Sequence, residues 1–165
     1  MPGTVTASGI ITNPLLLMAT LLANSSTFRS LMGVGSVAAA IERIHYPEAD
    51  DTDDTLAQLP RAILTLGHEW ESARQGIPVW HRKGSLFWSL EAKPNPRYEG
   101  NVRDETLDFA NNVGLIIKEL ENNAGIDQYF NATKFTQILS PQAMKPDEES
   151  GVYFYAAVYL VEYVG

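Results

Sequence analysis

The sequence predicts an α+β fold, in which a long helix at about residues 101–125 and short N-terminal helices pack on a mostly antiparallel sheet. Three observations predict it: an amphipathic stretch at 101–125, strand-like segments on both sides of that stretch, and short apolar segments punctuated by Asn, Ser and Gly near the N-terminus. The 165 residues suffice for one domain with a real core. We therefore expect an N-terminal arm at residues 1–12 and a single α+β domain at residues 13–165.

Short helices are predicted directly after the arm. Asn13-Pro14 is a helix start, because Asn is a favourable N-cap and Pro suits the first helical position. Leu15 to Ala23 is apolar on most sides and should be buried. Asn24-Ser25-Ser26 ends this helix and can cap a second one, Thr27 to Met32, which Gly33 ends.

Strands are predicted from β-branched and aromatic segments bounded by turn residues. A third helical piece from Ser36 precedes them, and the alanines after it leave the switch to strand uncertain. In chain order the predicted strands are Ile41 to Tyr46, Arg61 to His68, Val79 to Arg82 and Ser85 to Ala92, with Glu71 to Gly76 as a polar connection and Lys83-Gly84 as a hairpin turn. In the last of these, Leu86, Trp88, Leu90 and Ala92 share one face.

The long helix has the clearest pattern in the chain. Asn101 is its predicted N-cap, and Asp104 and Glu105 favour its N-terminal end. Gly125 is the residue expected just past its C-terminal end. One apolar stripe runs along it, formed by Phe109, Val113, Ile116, Ile117, Leu120 and Ala124.

Two extended segments follow the helix. Tyr129 to Leu139 is predicted as strand or irregular extended chain, and Pro141 to Ser150 as a loop. Val152 to Val164 is the strongest strand, with apolar side chains on one face and a row of tyrosines on the other. The sequence leaves three arrangements open: a central strand covered on both faces, a tyrosine row that contacts a partner, or a tyrosine row half in water.

Composition excludes several functional classes. The net charge of −8 argues against a surface that grips nucleic acid phosphates. The absence of cysteine excludes disulfides, thiolate metal sites and cysteine nucleophiles. The longest apolar run, Pro14 to Ala23, is about half of the roughly 20 residues that a membrane span needs.

No pattern of catalytic residues is visible. His45, His68 and His81 stand apart from one another in sequence, without metal-ligand spacing, and are more typical of structural histidines. Glu69 and Glu71 are the only suggestive carboxylate pair, and a solvated face explains them better than acid–base catalysis. We expect no enzyme activity, no cofactor and no catalytic or metal-binding residue.

The tryptophans allow two interpretations. Trp70, Trp80 and Trp88 lie on predicted strands, where they either form core or line a site for a ligand or partner. We favour core.

Two acidic segments are predicted to be solvated surface loops. The first contains Asp50, Asp51, Asp53 and Asp54, and the second contains Asp147, Glu148 and Glu149. Calcium binding by the first is the alternative, but the spacing and glycine of an EF-hand are absent.

The order of elements resembles the tail terminator (tail completion) proteins of long-tailed bacteriophages. The resemblance covers nearly the whole chain as a pattern of elements. The matching segments are Asn13-Pro14-Leu15-Leu16-Leu17, Thr27-Phe28-Arg29, Ile44-His45-Tyr46-Pro47, Pro60-Arg61-Ala62-Ile63, Asp108-Phe109-Ala110-Asn111-Asn112-Val113-Gly114 and the closing tyrosine-rich strand.

This resemblance implies a virion protein of the tail and neck, made in the host cytoplasm. The family forms rings, commonly of six copies, that sit on the last ring of the tail tube, stop its growth and provide the surface that joins the head. The expected partners are other copies of the chain, the tail tube protein and a neck or head-completion protein, without a membrane. DNA passes through the lumen of such a ring without specific binding. Other neck and connector components share a similar fold and are the nearest alternative.

The acidic loops have a suggested place in such a ring. If Asp50 to Asp54 and Asp147 to Glu149 face the lumen, they repel phosphates and let DNA slide. Assembly contacts are expected from the arm, Met1 to Thr12, and from these loops. A hypothesis of another class is a small-ligand-binding or hydrolytic α/β domain that uses the aromatic strands and the three histidines.

Overall fold

The fold is known from a computed structural model, which describes residues 12–46, 59–72, 82–93, 96–98, 101–123, 131–144 and 154–164. This described part contains four α-helices and a five-stranded mixed sheet. The helices are α1 (Thr12–Asn24), α2 (Ser26–Met32), α3 (Val37–Ile41) and α4 (Val102–Asn123), and a short 3₁₀ turn spans Pro96–Tyr98. The strands are β1 (Ile44–His45), β2 (Arg61–Ser72), β3 (Arg82–Ala92), β4 (Asn131–Met144) and β5 (Phe154–Val164). The predicted α+β class, with a long helix, is confirmed.

The strands lie side by side in the order β1-β2-β3-β5-β4. Only the short β1 pairs in parallel, with β2, and the three other pairings are antiparallel. Since β5 is antiparallel to both of its neighbours, β3 and β4 run in the same direction, and α4 connects them across the sheet. The interior position of β5 agrees with its predicted role as a central strand.

The helix α4 forms as its sequence pattern predicts. The Asn101 side chain accepts a hydrogen bond from the Asp104 backbone N–H at 3.3 Å, so the predicted N-cap is confirmed. The stripe residues Phe109, Val113, Ile116 and Leu120 are buried. Ala124 and Gly125, at the predicted end of the helix, lie outside the described residues.

Capping side chains and one glycine set the bounds of the short helices. Ser25 caps α2 by accepting from the Phe28 N–H at 3.0 Å, and Ser36 caps α3 by accepting from the Ala39 N–H at 3.2 Å. Gly33 ends α2 with a φ of 68°, a left-handed conformation that favours glycine. The helix α1 begins at Thr12, before the predicted Asn13 cap; Pro14 then lies in the first turn, where its missing N–H breaks no hydrogen bond.

The core lies between the helices and one face of the sheet. This face carries Ala62 and Leu64 of β2, Trp88 and Leu90 of β3, and the buried tyrosines of β5. The ring of Trp88 stacks on Tyr159 with centroids 4.9 Å apart, which confirms Trp88 as core. Trp70 and Trp80 have no described side chain.

The two tyrosines of β5 with described side chains, Tyr155 and Tyr159, face the core. Tyr155 and Tyr159 are only 2% and 7% exposed, and Ala157 and Val161 between and beyond them are buried. For these two residues, the predictions of an exposed row that contacts a partner and of a row half exposed to water are therefore both wrong. The reason is that tyrosine supplies a large apolar body to the helix-covered face, while smaller residues occupy the other face.

The predicted hairpin turn at Lys83-Gly84 is wrong. These residues lie inside the continuous strand β3, where Lys83 pairs with Glu71 of β2 and with Val164 of β5. The hairpin instead joins β2 and β3, whose outermost pair is Ser72 and Arg82, so Glu71 and Ser72 belong to β2 rather than to a connection. Pairing on both sides of an interior strand has overridden the local turn preference.

Two other boundaries differ from the prediction. Pro141 to Met144 continues β4, although a loop was expected from Pro141. β4 is an edge strand, where a residue without N–H is tolerated, and its register shifts between Leu139 and Gln142. Near the N-terminus, Ile41 ends α3 and only Ile44–His45 form a strand, because the preceding alanines favour helix.

Candidate functional site

The acidic residues predicted for the lumen all lie outside the described residues. They are Asp50, Asp51, Asp53, Asp54, Asp147, Glu148 and Glu149. The same holds for residues 1–11 of the predicted arm. Their roles therefore stay predictions.

Of the three histidines, only His45 has a described side chain, and it is half-buried in β1. His68 lies in β2 with a side chain that is not described, and His81 lies outside the described residues, so a site built from all three stays a prediction. Over the residues that the structure covers, no group of His, Asp and Glu has an arrangement that can hold a metal ion.

A cavity of about 380 Å³ lies where α2, β3 and α4 meet. One wall is the last turn of α2, at Ser30 to Gly33, which turns away at the left-handed Gly33. Pro60 and the end of β3, Ala92 and Lys93, form a second wall. Lys93 is exposed at the rim, whereas Ala92 belongs to the core.

The first turns of α4 form the opposite wall of the cavity. Glu105, Asp108, Phe109 and Asn112 all line it, because positions three and four apart fall on one helix face. The ring of Phe109 lies against that of Tyr155, with centroids 5.7 Å apart, and both residues are buried.

A buried hydrogen bond joins two residues that line the cavity. The Tyr155 hydroxyl donates to Oε2 of Glu105 at 2.8 Å, and Glu105 is only 7% exposed. Burial, then the hydrogen bond to Glu105 and the charge of that carboxylate, raise the pKa of Tyr155 to about 12, against a smaller opposing effect of Thr106. Tyr155 therefore stays protonated near neutral pH and acts as a donor that holds Glu105 in place.

The second carboxylate of the cavity lies nearer the surface. Asp108 is half-buried and hydrogen-bonded to the Tyr98 hydroxyl. Burial, the charge of Asp108 and this hydrogen bond raise the pKa of Tyr98. Tyr155 and Tyr98 therefore both keep their hydroxyl protons. The acidic side chains of the cavity are those of Glu105 and Asp108.

The sheet face opposite the helices is a second candidate surface. Four of its apolar side chains, Ile63, Phe87, Val158 and Leu160, are only half-buried and do not belong to the core cluster, whereas Ala156 on the same face is buried. The register places Phe87 beside Leu160 across β3 and β5. At one end, Arg61 and Glu91 form an ion pair with a 2.7 Å N–O distance. We call Ile63, Phe87, Val158 and Leu160 the open sheet face.

Sequence reasoning missed Glu105 as a buried residue. Its position predicts only an acid that suits a helix N-terminus, but Glu105 lies four residues before Phe109 and so continues the apolar stripe. An acid in phase with a buried stripe indicates a polar partner in the core, and that signal was present. The partner itself, Tyr155, is fifty positions away in sequence and follows from no local pattern.

Comparison with known proteins adds no family assignment. No protein-family model matches the chain, and neither does any curated protein. None of the described helices combines the length and the hydropathy needed to cross a membrane.

Proposed function

We propose that this chain is a structural virion protein of the tail terminator type. In this proposal it forms a ring, commonly of six copies, that caps the tail tube of a long-tailed bacteriophage, stops its polymerisation and provides the surface that joins the head. It is not an enzyme and needs no cofactor. It is made in the host cytoplasm and ends in the virion, at the tail and neck.

The open sheet face is the observation that supports assembly best. Phe87, Val158 and Leu160 lie in the middle of two interior strands, yet remain partly accessible to solvent. Antiparallel sheets often leave one face in water, but such a face is then mainly polar. Phe87 and Leu160 are cross-strand neighbours and Val158 follows on the same face, so these three form an apolar patch. Ser89 separates Ile63 from Val158. A partly exposed apolar patch of this kind is typical of surfaces that another protein covers.

The positions of the matching segments also favour this function. The segment at Asn13 lies in α1, the one at Thr27 in α2, and the one at Asp108 in α4, in the element order that the resemblance requires. Each therefore lies in a structural element rather than in a connection. The agreement concerns the fold alone, and the ring follows from the resemblance.

The charge of the chain suits a channel for DNA. A net charge of −8 gives the subunit little attraction for phosphates, so DNA can slide through a ring of such subunits. The proposed lumen residues are those of the two acidic loops, Asp50 to Asp54 and Asp147 to Glu149. The tail tube protein and a neck or head-completion protein are the proposed partners at the two ends of the ring.

Negative-stain electron microscopy of two matched variants tests the proposal. Leu160→Gln removes an apolar side chain from the open sheet face, whereas Leu107→Gln makes the same change at an exposed position of α4. We expect rings for the wild type and for Leu107→Gln, and none for Leu160→Gln. Circular dichroism checks that both variants fold.

Two results would contradict the proposal. The first is the absence of rings or tube-end complexes from wild-type protein at any concentration. The second is turnover of a small substrate that depends on His45, His68 or His81, which would favour the ligand-binding or hydrolytic alternative.

A further inference from the structure

The cavity between α2, β3 and α4 has the size of a site for a small organic group. Its volume of about 380 Å³ falls at the lower end of the range of small-molecule pockets. It is not part of the open sheet face, because its walls include the core residues Met32, Ala92, Phe109 and Tyr155. The cavity and the open sheet face are therefore two different surfaces of the chain.

The apolar part of the cavity suits an aliphatic stem. Met32, Phe109 and Tyr155 are nearly fully buried and form the apolar part of its lining. Contacts of this kind stabilise methylene groups that leave water. The aromatic rings also favour a cation close to their faces.

The polar part of the cavity is predominantly anionic. Glu105 and Asp108 both line it, one buried and one half-buried. Lys93 is the one basic side chain of the described lining. It is exposed at the rim, so its positive charge opposes the negative potential of the two carboxylates only from outside the cavity.

We propose that this cavity binds an ammonium or guanidinium group carried on a short apolar stem. The cation contacts Asp108 and the Glu105 carboxylate, which the Tyr155 hydroxyl holds in place, and the stem packs on Met32 and Phe109. Such a group has two sources: a free alkylamine, or a lysine or arginine side chain of a second copy of this chain.

The probes are n-butylamine and butyrate, which match in size and differ in charge. Binding is followed by NMR shifts of the backbone amides of Asp108 and Asn112. We expect butylamine to bind and butyrate not to bind. Asp108→Asn should weaken butylamine binding about tenfold, the effect of one charged hydrogen bond. Lys93→Gln should strengthen it by about twofold, since an exposed charge contributes little.

Glu121→Gln is the matched control for the loss of one carboxylate. Glu121 is an exposed residue of the same helix and does not line the cavity. It should leave butylamine binding unchanged within about twofold, because a solvent-exposed charge outside the cavity is well screened.

A second measurement identifies the source of the cation. If free butylamine does not bind, but Asp108→Asn dissociates an oligomer that Glu121→Gln leaves intact, the occupant is a basic side chain of a second copy. Butyrate binding that Lys93→Gln abolishes would overturn the proposal. So would the absence of both butylamine binding and an oligomer effect of Asp108→Asn. Rings that form while the cavity binds nothing would refute this inference alone and leave the proposed function standing.

Discussion

The hydrogen bond between Tyr155 and Glu105 is the most consequential single contact of the described core. It satisfies a carboxylate that is 7% exposed, at the point where α4 meets β5. A buried carboxylate that loses a partner retains the full penalty for leaving water. Because Tyr155 and Glu105 also line the cavity, the same contact both stabilises the fold and helps to shape the cavity.

Replacing Tyr155 by Phe removes only the hydroxyl. We expect the free energy of unfolding to fall by roughly 1.5–3 kcal/mol, the typical contribution of a hydrogen bond to a charged group. Urea unfolding followed by circular dichroism measures it. Tyr98→Phe is the control, because Tyr98 is half-exposed and the loss of its hydroxyl should have a smaller effect on stability. Equal losses in both variants would contradict the special role of Tyr155.

The raised pKa of Tyr155 predicts an alkaline effect on stability. The pKa is about 12 in the folded chain and 10.0 for an ordinary tyrosine, so the folded state holds this proton more tightly. The resulting stabilisation is fully present below pH 10 and is lost as the pH rises from 10 to 12.

Two measurements check this pH dependence. In an absorbance titration of tyrosine, the step near pH 12 should be missing from Tyr155→Phe. Between pH 10 and 12 the wild type should also lose more stability than this variant. A titration that is the same for both proteins would refute the assignment.

At the scale of elements, Glu119 fixes the start of α2 to α4. Its carboxylate accepts from the Thr27 hydroxyl at 2.6 Å and from the Ser26 hydroxyl at 3.2 Å. Burial alone raises the pKa of Glu119, but hydrogen bonds, including those from Thr27 and Ser26, outweigh it and lower the pKa overall. A negative charge at a helix N-terminus is also favourable in itself.

Glu119→Gln should destabilise the fold by about 0.5–2 kcal/mol, as the loss of a capping group does. The lowered pKa means that the wild-type contribution is present above the ordinary glutamate pKa and is lost as the pH falls through the folded value. The difference between wild type and variant should therefore shrink in acid. Thermal unfolding at neutral and acidic pH measures it, with exposed Glu121→Gln as control; a difference independent of pH would contradict this account.

Substitution by alanine should change the stability of the chain in opposite directions at two glycines. Gly33 has a φ of 68°, so Gly33→Ala should cost roughly 1 kcal/mol even though no atom lies within 4 Å of the added methyl. Gly114 lies inside α4 with the same free space, and Gly114→Ala should stabilise the chain by about 1 kcal/mol through helix propensity. Chemical denaturation of both variants tests the pair, and a shared sign would contradict this account.

The elements that could be predicted are those that local patterns determine. The stripe of α4, the Asn101 cap and the Gly33 end each depend on neighbouring residues, and the structure has them as predicted. Lys83-Gly84 was mispredicted because its pairing partners, such as Trp70 and Tyr163, are distant in sequence. Long-range pairing decides strand continuity, and no window of sequence contains it.

The candidate sites were predictable only in part, for the same reason. The sequence shows the apolar alternation of β3 and β5, but not which face the helices cover, and so it does not determine whether the tyrosines of β5 are buried. The cavity combines Ser30, Pro60, Lys93 and Asp108 from four separate segments. Only the burial of Glu105 had a local signal.

At the scale of the whole molecule, the sheet has two unlike faces. One carries the helices and the buried core, and the other presents Ile63, Phe87, Val158 and Leu160 partly to solvent. A subunit of a closed ring needs two different complementary patches, because its contacts are heterologous. We propose the open sheet face as one of them.

The most direct test is the molar mass of the wild-type chain in solution, by light scattering over a concentration series. The proposal predicts a discrete ring; for six copies, six times 18.2 kDa is about 109 kDa. A mass of 18.2 kDa at every concentration, without rings in micrographs of the same samples, would contradict it.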